Sequence, residues 1–214
     1  MSTIKTTNLQ HPSAASPNLV LAADGSVSGG AGLGGLVLVS PTSIANSGGS
    51  ASASGGEVTF TGVSSVSLNG VFSSAYENYR IVFNGISSSA TATGLNMRFR
   101  ASGTDASSSL YLWGGVYITQ GAGPTRNYSG GLAATGEIAA VADYTGDFTA
   151  DIIQPALAAN SSWVSSYLGS GTSSAVYGTI SGAHTAATSY DGCTIYPNVG
   201  TITGKIRVYG YKNS

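Results

Sequence analysis

Several short segments of this chain alternate between apolar and polar residues one by one, and this period of two constrains the fold more than any other feature. In "NYRIVFNGI", residues 78–86, the apolar side chains of Tyr79, Ile81 and Phe83 share one parity. Successive side chains of a β-strand point to opposite faces, so such a segment predicts a half-buried strand. We therefore expect these three residues to point into a core.

The same pattern recurs along the rest of the chain. "GLNMRFRASG" places Leu95, Met97 and Phe99 inward in the same way. Turn-forming residues punctuate the sequence, and further strands are predicted at 109–119, 147–153, 162–168, 174–182 and 201–211. Many short strands with glycine-rich connections and almost no helical stretch predict an all-β fold, a jelly-roll-like β-sandwich.

Composition divides the chain into three parts. Residues 1–40 begin with a polar, proline-containing stretch that predicts an extended arm, and a hairpin with its turn at Asp24-Gly25 follows. Residues 41–56, "PTSIANSGGSASASGG", are rich in Ser, Gly and Ala and predict a flexible linker. Residues 57–214 contain the alternating segments and form the predicted β-sandwich body.

A glycine pattern in the first part has the spacing of a dinucleotide-binding loop, with Gly30, Gly32 and Gly35 fitting Gly-x-Gly-x-x-Gly. That loop requires a helix after it, so that helix N–H groups can meet a pyrophosphate. Here a hairpin precedes the glycines, and the short apolar run after them stops at Pro41. We interpret the glycines as a hinge between two β-segments and expect no cofactor.

Charged residues are scarce, at 8% of the 214 residues. A surface with so little charge favours association, so we expect much of it to be covered by copies of this chain or by other proteins. The net charge is −1 and only eight residues are Lys or Arg, which argues against nucleic acid as a partner. No apolar run approaches the ~20 residues of a membrane span, so membrane insertion is not expected.

Particular stretches resemble a known protein family. "IKTTNLQHPSAASPNLVLAADGSV", residues 4–27, is similar to the N-terminal segment of bacteriophage tail-fibre and virion structural proteins, especially those of marine and cyanobacterial phages. "YENYRIVFNGI", "LNMRFRASGTD" and "GTITGKIRVYGYKN" resemble the β-rich modules of the same proteins. The resemblance spans the predicted arm and most of the body, and it skips the linker.

This resemblance implies a function and a set of partners. It implies a virion structural protein that forms a homotrimer and docks on other virion proteins through residues 1–40, in the tail or on the capsid surface. We expect a tail fibre or receptor-binding protein that attaches to a host surface glycan or protein. A capsid decoration protein is the alternative, and a glycan depolymerase is a third.

Candidate catalytic residues are few. His184 and Asp191 in "HTAATSYDG" would form part of a hydrolase dyad, but no Gly-x-Ser-x-Gly nucleophile elbow accompanies them. A loop histidine that makes ordinary hydrogen bonds is the expected interpretation. The single cysteine, Cys193, excludes an intrachain disulfide framework and a cysteine-based zinc site.

One local cluster of acidic residues comprises Glu137, Asp143, Asp147 and Asp151. Paired carboxylates would suit a depolymerase, and carboxylate oxygens would suit Ca²⁺. The spacing matches no EF-hand loop, however, and Gly146 is expected to break the strand that would align the aspartates. We therefore expect solvated turn residues here, no metal site, and a protein that is not an enzyme.

The aromatic residues have two interpretations. Tyr111, Trp113 and Tyr117 share one parity and would line one face of a strand. That face would pack into a core or trimer axis, or it would stay exposed and stack on sugar rings.

Two loops far from the predicted arm are the candidate recognition sites, "TQGAGPTRNYSGG" at 119–131 and "HTAATSYDGCTIYPNVG" at 184–200. Loops at the end of a sandwich can vary without disturbing the sheets. Each loop combines turn-forming residues with a tyrosine and a charged residue, and plain surface connection is the alternative interpretation. The candidate receptor-binding residues are Arg126, Tyr128, Tyr190 and Asp191.

Overall fold

Strands supply the regular secondary structure of this chain. The structure is a computed structural model that describes residues 8–9, 19–21, 27–29 and 35–212, the last range without 91–92, 130–131, 142–144 and 171–174. No helix occurs among these residues, and their strands are β1 (Asn8–Leu9), β2 (Leu19–Leu21), β3 (Val27–Gly29), β4 (Leu36–Val39), β5 (Ser43–Ser47), β6 (Ser50–Ser54), β7 (Glu57–Val63), β8 (Ser65–Asn69), β9 (Asn78–Ser88), β10 (Thr93–Ala101), β11 (Thr104–Asp105), β12 (Tyr111–Thr119), β13 (Pro124–Tyr128), β14 (Gly136–Val141), β15 (Thr145–Ile153), β16 (Ser161–Ser170), β17 (Ala175–His184), β18 (Gly192–Pro197) and β19 (Ile202–Tyr211).

Two antiparallel sheets build the unit formed by residues 37–211. The ten-stranded sheet has the order β13-β12-β17-β16-β15-β9-β19-β7-β6, with β4 also paired to β19. The six-stranded sheet has the order β11-β10-β18-β8-β5, with β14 also paired to β10. The prediction of an all-β sandwich is confirmed. Within the described part of the chain, no helix is long and apolar enough to cross a membrane.

Residues 1–36 and 212–214 belong to a second unit. Here β2 pairs with β3 in antiparallel register, with Leu21 opposite Val27, so the predicted hairpin is confirmed. β1 pairs with β2, while the rest of the predicted arm, the turn Asp24-Gly25 and the first glycines of the nucleotide-like pattern lie outside the described residues. After Gly35 the chain continues as strand β4, and a dinucleotide-binding loop would need a helix there.

The core contains the residues whose parity predicted it. Side chains that are fully buried include Tyr79, Ile81, Phe83, Leu95, Met97 and Phe99. Phe83 on β9 stacks on Phe148 of the neighbouring strand β15, with ring centroids 4.3 Å apart. The alternation in the sequence therefore predicts correctly which side of β9 and β10 faces inward.

Trp163 joins the two sheets at the centre of the core. It lies on β16 of the ten-stranded sheet, is fully buried, and donates its indole N–H to the carbonyl of Glu137 on β14, 3.1 Å away. A Cβ atom on Gly136 would lie 2.4 Å from the indole ring, and one on Gly182 would lie 2.2 Å from it. Glycine is required at both positions because the indole occupies the space of their missing side chains.

The segment predicted as a flexible linker, 41–56, is folded. β5 pairs with β8 of the six-stranded sheet, and β6 pairs with β7 of the ten-stranded sheet. Ile44 and Ala51 of these strands pack against the core. The structure thus corrects the linker prediction, because hydrogen bonds to neighbouring strands order a Ser- and Ala-rich segment whose composition alone indicates flexibility.

Two truncations test this assignment. A chain that begins at Val37 should unfold at the same temperature as the full chain, whereas one that begins at Glu57 should unfold earlier. The longer deletion removes three strands and the core contacts of Val39, Ile44 and Ala51, which together contribute about 2–3 kcal/mol. We expect the melting temperature to fall by about 5–10 °C in circular dichroism. Equal midpoints for the two truncations would contradict the placement of 41–56 in the folded body.

Candidate functional site

One side of the ten-stranded sheet carries exposed apolar side chains along four adjacent strands, β13, β12, β17 and β16. Residues paired across an antiparallel sheet point to the same side. The register therefore places Tyr128, Gly114, Ser181 and Val164 in one row across the four strands. The alternate residues of β16, including Trp163, point into the core, so this row faces outward.

Six large apolar side chains lie on the outward side of these strands. Between 43% and 68% of the surface of each residue is exposed. The six residues are Leu112, Val116, Tyr128, Val164, Leu168 and Tyr177. We call this surface the apolar face. A contiguous exposed apolar patch on a folded protein commonly marks an interaction surface.

Small hydroxyl side chains separate the apolar ones on this face. Ser166 on β16 and Thr179 and Ser181 on β17 are exposed and point outward between the aliphatic residues of β12 and β16. The apolar face therefore offers both apolar contact area and hydrogen-bonding groups.

The apolar face contains an open depression of about 490 Å³. Its lining includes two aliphatic side chains, Leu112 and Val164, and three serines, Ser129, Ser162 and Ser181. None of the described residues that line it is charged. The depression is thus a small, neutral surface site with mixed apolar and hydroxyl character.

Apart from Arg126 on β13, the described cations on this side of the sheet lie on β9 and β19, where each pairs with a carboxylate. Arg80 on β9 donates two hydrogen bonds of 2.8 Å to the carboxylate of Asp151 on β15, and this pairing lowers the pKa of Asp151. The Tyr211 hydroxyl donates to the same carboxylate at 2.6 Å, and burial together with that carboxylate raises the pKa of Tyr211 to about 12. Glu57 likewise pairs with Lys205 and Arg207.

Two of the four predicted recognition residues lie on the apolar face. Arg126 and Tyr128 belong to β13, the edge strand of the ten-stranded sheet, where Arg126 is opposite Val116 and Tyr128 is opposite Gly114. Both side chains are exposed. Residues 124–128 in the middle of the predicted loop therefore form a strand, and its tyrosine and arginine project from a sheet instead of a loop tip.

Tyr190 does not lie at the surface. It is buried, its ring stacks on Phe99 with centroids 5.1 Å apart, and its hydroxyl lies 3.0 Å from Nδ1 of His184. The backbone N–H of Tyr190 donates to Pro155, which holds this part of the chain over the end of the core. The structure corrects the prediction that Tyr190 is a receptor contact, because a buried ring has no surface to offer a receptor.

Asp191 has a structural role next to Tyr190. Its backbone N–H donates to Arg100, and its Oδ2 accepts a hydrogen bond of 3.0 Å from the N–H of Ser102 in the turn before β11. His184 is buried and pairs with Tyr190, so His184 and Asp191 are not arranged as the catalytic dyad considered from the sequence. Burial lowers the pKa of His184, which keeps its imidazole neutral near pH 7.

The acidic cluster is dispersed between the two sheets. Glu137 is buried on β14 of the six-stranded sheet, whereas Asp147 and Asp151 point outward from β15. Asp143 lies outside the described residues. Across the described ranges, no group of three or more His, Cys, Asp or Glu side chains is placed to hold a metal ion. Cys193 is fully buried, and burial raises the pKa of its thiol to about 12.

The aromatic residues of β12 face the core. Tyr111 is fully buried, and Trp113 and Tyr117 pack against the core cluster. The outward residues of the same strand, Leu112 and Val116, were not singled out from the sequence. The signal for them was present, because "SLYLWGGVYIT" has apolar residues at both parities.

Comparisons with known proteins give two distant structural likenesses. No family model and no curated protein matches the chain. The CBM2 module of the evolved Dit of Lactobacillus casei BL23 phage J-1 aligns with a TM-score of 0.29 and 7% identity, over 84% of this chain and 91% of that one. The laminarinase catalytic domain from Thermotoga maritima MSB8, in complex with cetyltrimethylammonium bromide, aligns with a TM-score of 0.24 and 12% identity. That alignment covers 76% of this chain and 81% of the laminarinase domain. Scores this low carry no argument about function.

The two tyrosines predicted as receptor contacts should differ sharply in their effect on stability. Tyr190→Ala removes a buried aromatic side chain and should cost about 3–5 kcal/mol of unfolding free energy. Tyr128→Ala removes an exposed ring and should change it by less than about 0.5 kcal/mol. Urea unfolding followed by intrinsic fluorescence measures both. Similar losses for the two variants would contradict the placement of Tyr190 in the core and Tyr128 on the surface.

The buried histidine should make stability depend on pH. Because the pKa of His184 is lowered in the folded state from its ordinary value of 6.5, the unfolded chain takes up a proton first as the pH falls below that value. Stability should therefore be independent of this group above pH 7 and fall below pH 6.5, by at most about 1.4 kcal/mol per pH unit. Urea unfolding between pH 7.5 and 5 measures the decline, which should be smaller in His184→Phe. An equal decline in both proteins would exclude His184 as its origin.

Proposed function

We propose that the protein is a virion surface protein of a bacteriophage that attaches to the host cell, and that the apolar face makes the contact. The sequence resemblance of the N-terminal segment and of three β-rich stretches supports the virion assignment. The exposure of Tyr128 and Arg126 beside β12, on the same face as the aliphatic residues of β12 and β16, supports attachment, and it is the observation that carries the proposal.

The chemistry of the apolar face suits binding. Exposed tyrosine and aliphatic side chains contribute contact area, and arginine contributes directional hydrogen bonds, as in the centre of many protein interfaces. The nearby acids and bases of β7, β9, β15 and β19 are engaged with one another. A partner therefore meets the apolar face without displacing the ion pairs beside it.

The proposal describes a binding protein and assigns it no catalytic activity. His184 is paired with Tyr190, and Glu137 on β14 belongs to a different sheet from Asp147 and Asp151 on β15. Trimeric assembly and docking through residues 1–40 belong to the same proposal. They rest on the sequence resemblance and on the low charged fraction, which favours contact between copies.

Variants on and off the apolar face test the attachment role. Tyr128→Ala and Arg126→Ala should each reduce the adsorption of purified protein or of phage particles to host cells several-fold, because an exposed aromatic or arginine contact can contribute about 1–2 kcal/mol to binding. Leu157→Ala, at an exposed residue outside this face, is the matched control and should adsorb normally.

The same experiment separates attachment from capsid decoration. If the Tyr128 and Arg126 variants adsorb as well as the wild type but give particles that break at lower temperature or osmotic stress, the protein braces the capsid. Polysaccharide cleavage by the wild type would instead overturn the non-enzymatic assignment.

A further inference from the structure

We infer that the depression on the apolar face binds a neutral saccharide that extends from Ser181 across Gly114 to the ring of Tyr128, which lies beside the depression and outside its lining. This inference rests on the proposed attachment function and names the chemical class of the ligand. Its basis is the size of the site, the groups that line it and the position of Tyr128 next to a glycine.

Size favours a small ligand over a protein. Four strands spaced by about 4.8 Å, with four outward positions spaced by about 7 Å along each, cover roughly 500 Å². A stable protein–protein contact covers about 800 Å² on each partner. The depression of about 490 Å³ lies within the range of small-molecule sites, which is roughly 300–1,000 Å³.

The lining favours a ligand with both apolar faces and hydroxyl groups. Leu112 and Val164 supply aliphatic contacts, while Ser162 and Ser181 supply hydroxyls for which the structure records no hydrogen bond to another described residue. The third serine, Ser129, is engaged with the backbone of Trp113 at 3.0 and 3.2 Å. A lipid chain would remove the two available hydroxyls from water without replacing their hydrogen bonds.

The charge of the site favours a neutral ligand. The described lining carries neither acid nor base, and Arg126 on β13 lies two strands away from β17, the middle strand of the depression, opposite Val116. An anionic polymer would need several paired cations along its length. A neutral saccharide needs none.

Tyr128 stands where such a ligand would need an aromatic surface. In the row Tyr128, Gly114, Ser181 and Val164, the glycine has no side chain to fill the space between the tyrosine and the serine. Those two residues are two strands apart, about 10 Å. A sugar ring above Gly114 would have the tyrosine on one side and the serine hydroxyl on the other.

Binding and adsorption measured together test the inference. The full chain is titrated with neutral hexasaccharides of glucose and of N-acetylglucosamine, and with polygalacturonate as the acidic comparison. In parallel, its adsorption is measured on host cells whose glycans have been oxidised with periodate and on host cells whose surface proteins have been digested with protease. We expect adsorption to be lost after periodate and retained after protease. Any hexasaccharide that binds the wild type should bind roughly ten-fold more weakly to Tyr128→Ala. Its binding should be weakened equally by Ser181→Leu, because the leucine fills the depression. Its affinity for Leu157→Ala should equal its affinity for the wild type.

The opposite outcomes are distinct from one another. Adsorption that survives periodate but is lost after protease would overturn the saccharide inference and leave the attachment function standing, with a protein as the receptor. Preference for polygalacturonate would overturn the neutral class of the ligand. A wild-type chain that adsorbs to untreated cells no better than an unrelated protein would overturn the attachment function itself.

Discussion

The contact between the indole of Trp163 and two glycines sets the spacing of the sandwich. Gly136 belongs to the six-stranded sheet and Gly182 to the ten-stranded sheet, and the ring occupies the space next to both. The bond from the indole N–H to the carbonyl of Glu137 gives the buried donor a partner, so the large side chain is buried without a polar penalty. A second buried bond, from the Ser165 hydroxyl to the carbonyl of Ile138, fixes the same two strands. Since interiors are close-packed, this contact determines which side of β16 faces the core.

The apolar face follows from that orientation. Once Trp163 points inward, the period of two turns Val164 and Leu168 outward, and the register with β17 and β12 aligns Tyr177 and Val116 beside them. Exposed aliphatic residues on a sheet invite aggregation. The edge strand β13 offsets that tendency, because it carries Pro124, which donates no backbone hydrogen bond, and the charged Arg126. An apolar surface kept beside a protected edge is consistent with a surface used for binding.

Sequence reasoning predicted the elements whose signal is local. Alternation identified the inward residues of β9 and β10, and Asp24-Gly25 marked the hairpin of β2 and β3. It did not predict β5 and β6, since "SIANS" has a single large apolar residue and "SASAS" has none, and both segments are ordered by their neighbours. It also did not predict the burial of Tyr190, which depends on how the chain after β17 packs over the aromatic rings of Phe99, Tyr111 and His184. The resemblance to phage virion proteins stays a prediction.

Because Tyr190 is buried, the segment around it is a poor place for a recognition site, and the apolar face is a better one. A recognition loop changes specificity through its length and backbone, but the segment around Tyr190 and Asp191 holds the end of the core and the turn at Ser102, so changes there lower stability. On the apolar face, each outward side chain is separated from the core by the sheet itself. Substitutions at Tyr128, Val164 or Ser181 are therefore expected to leave the strand register and the Trp163 contact intact. If the apolar face is the attachment surface, as proposed, its ligand can change one side chain at a time while the sheets stay the same.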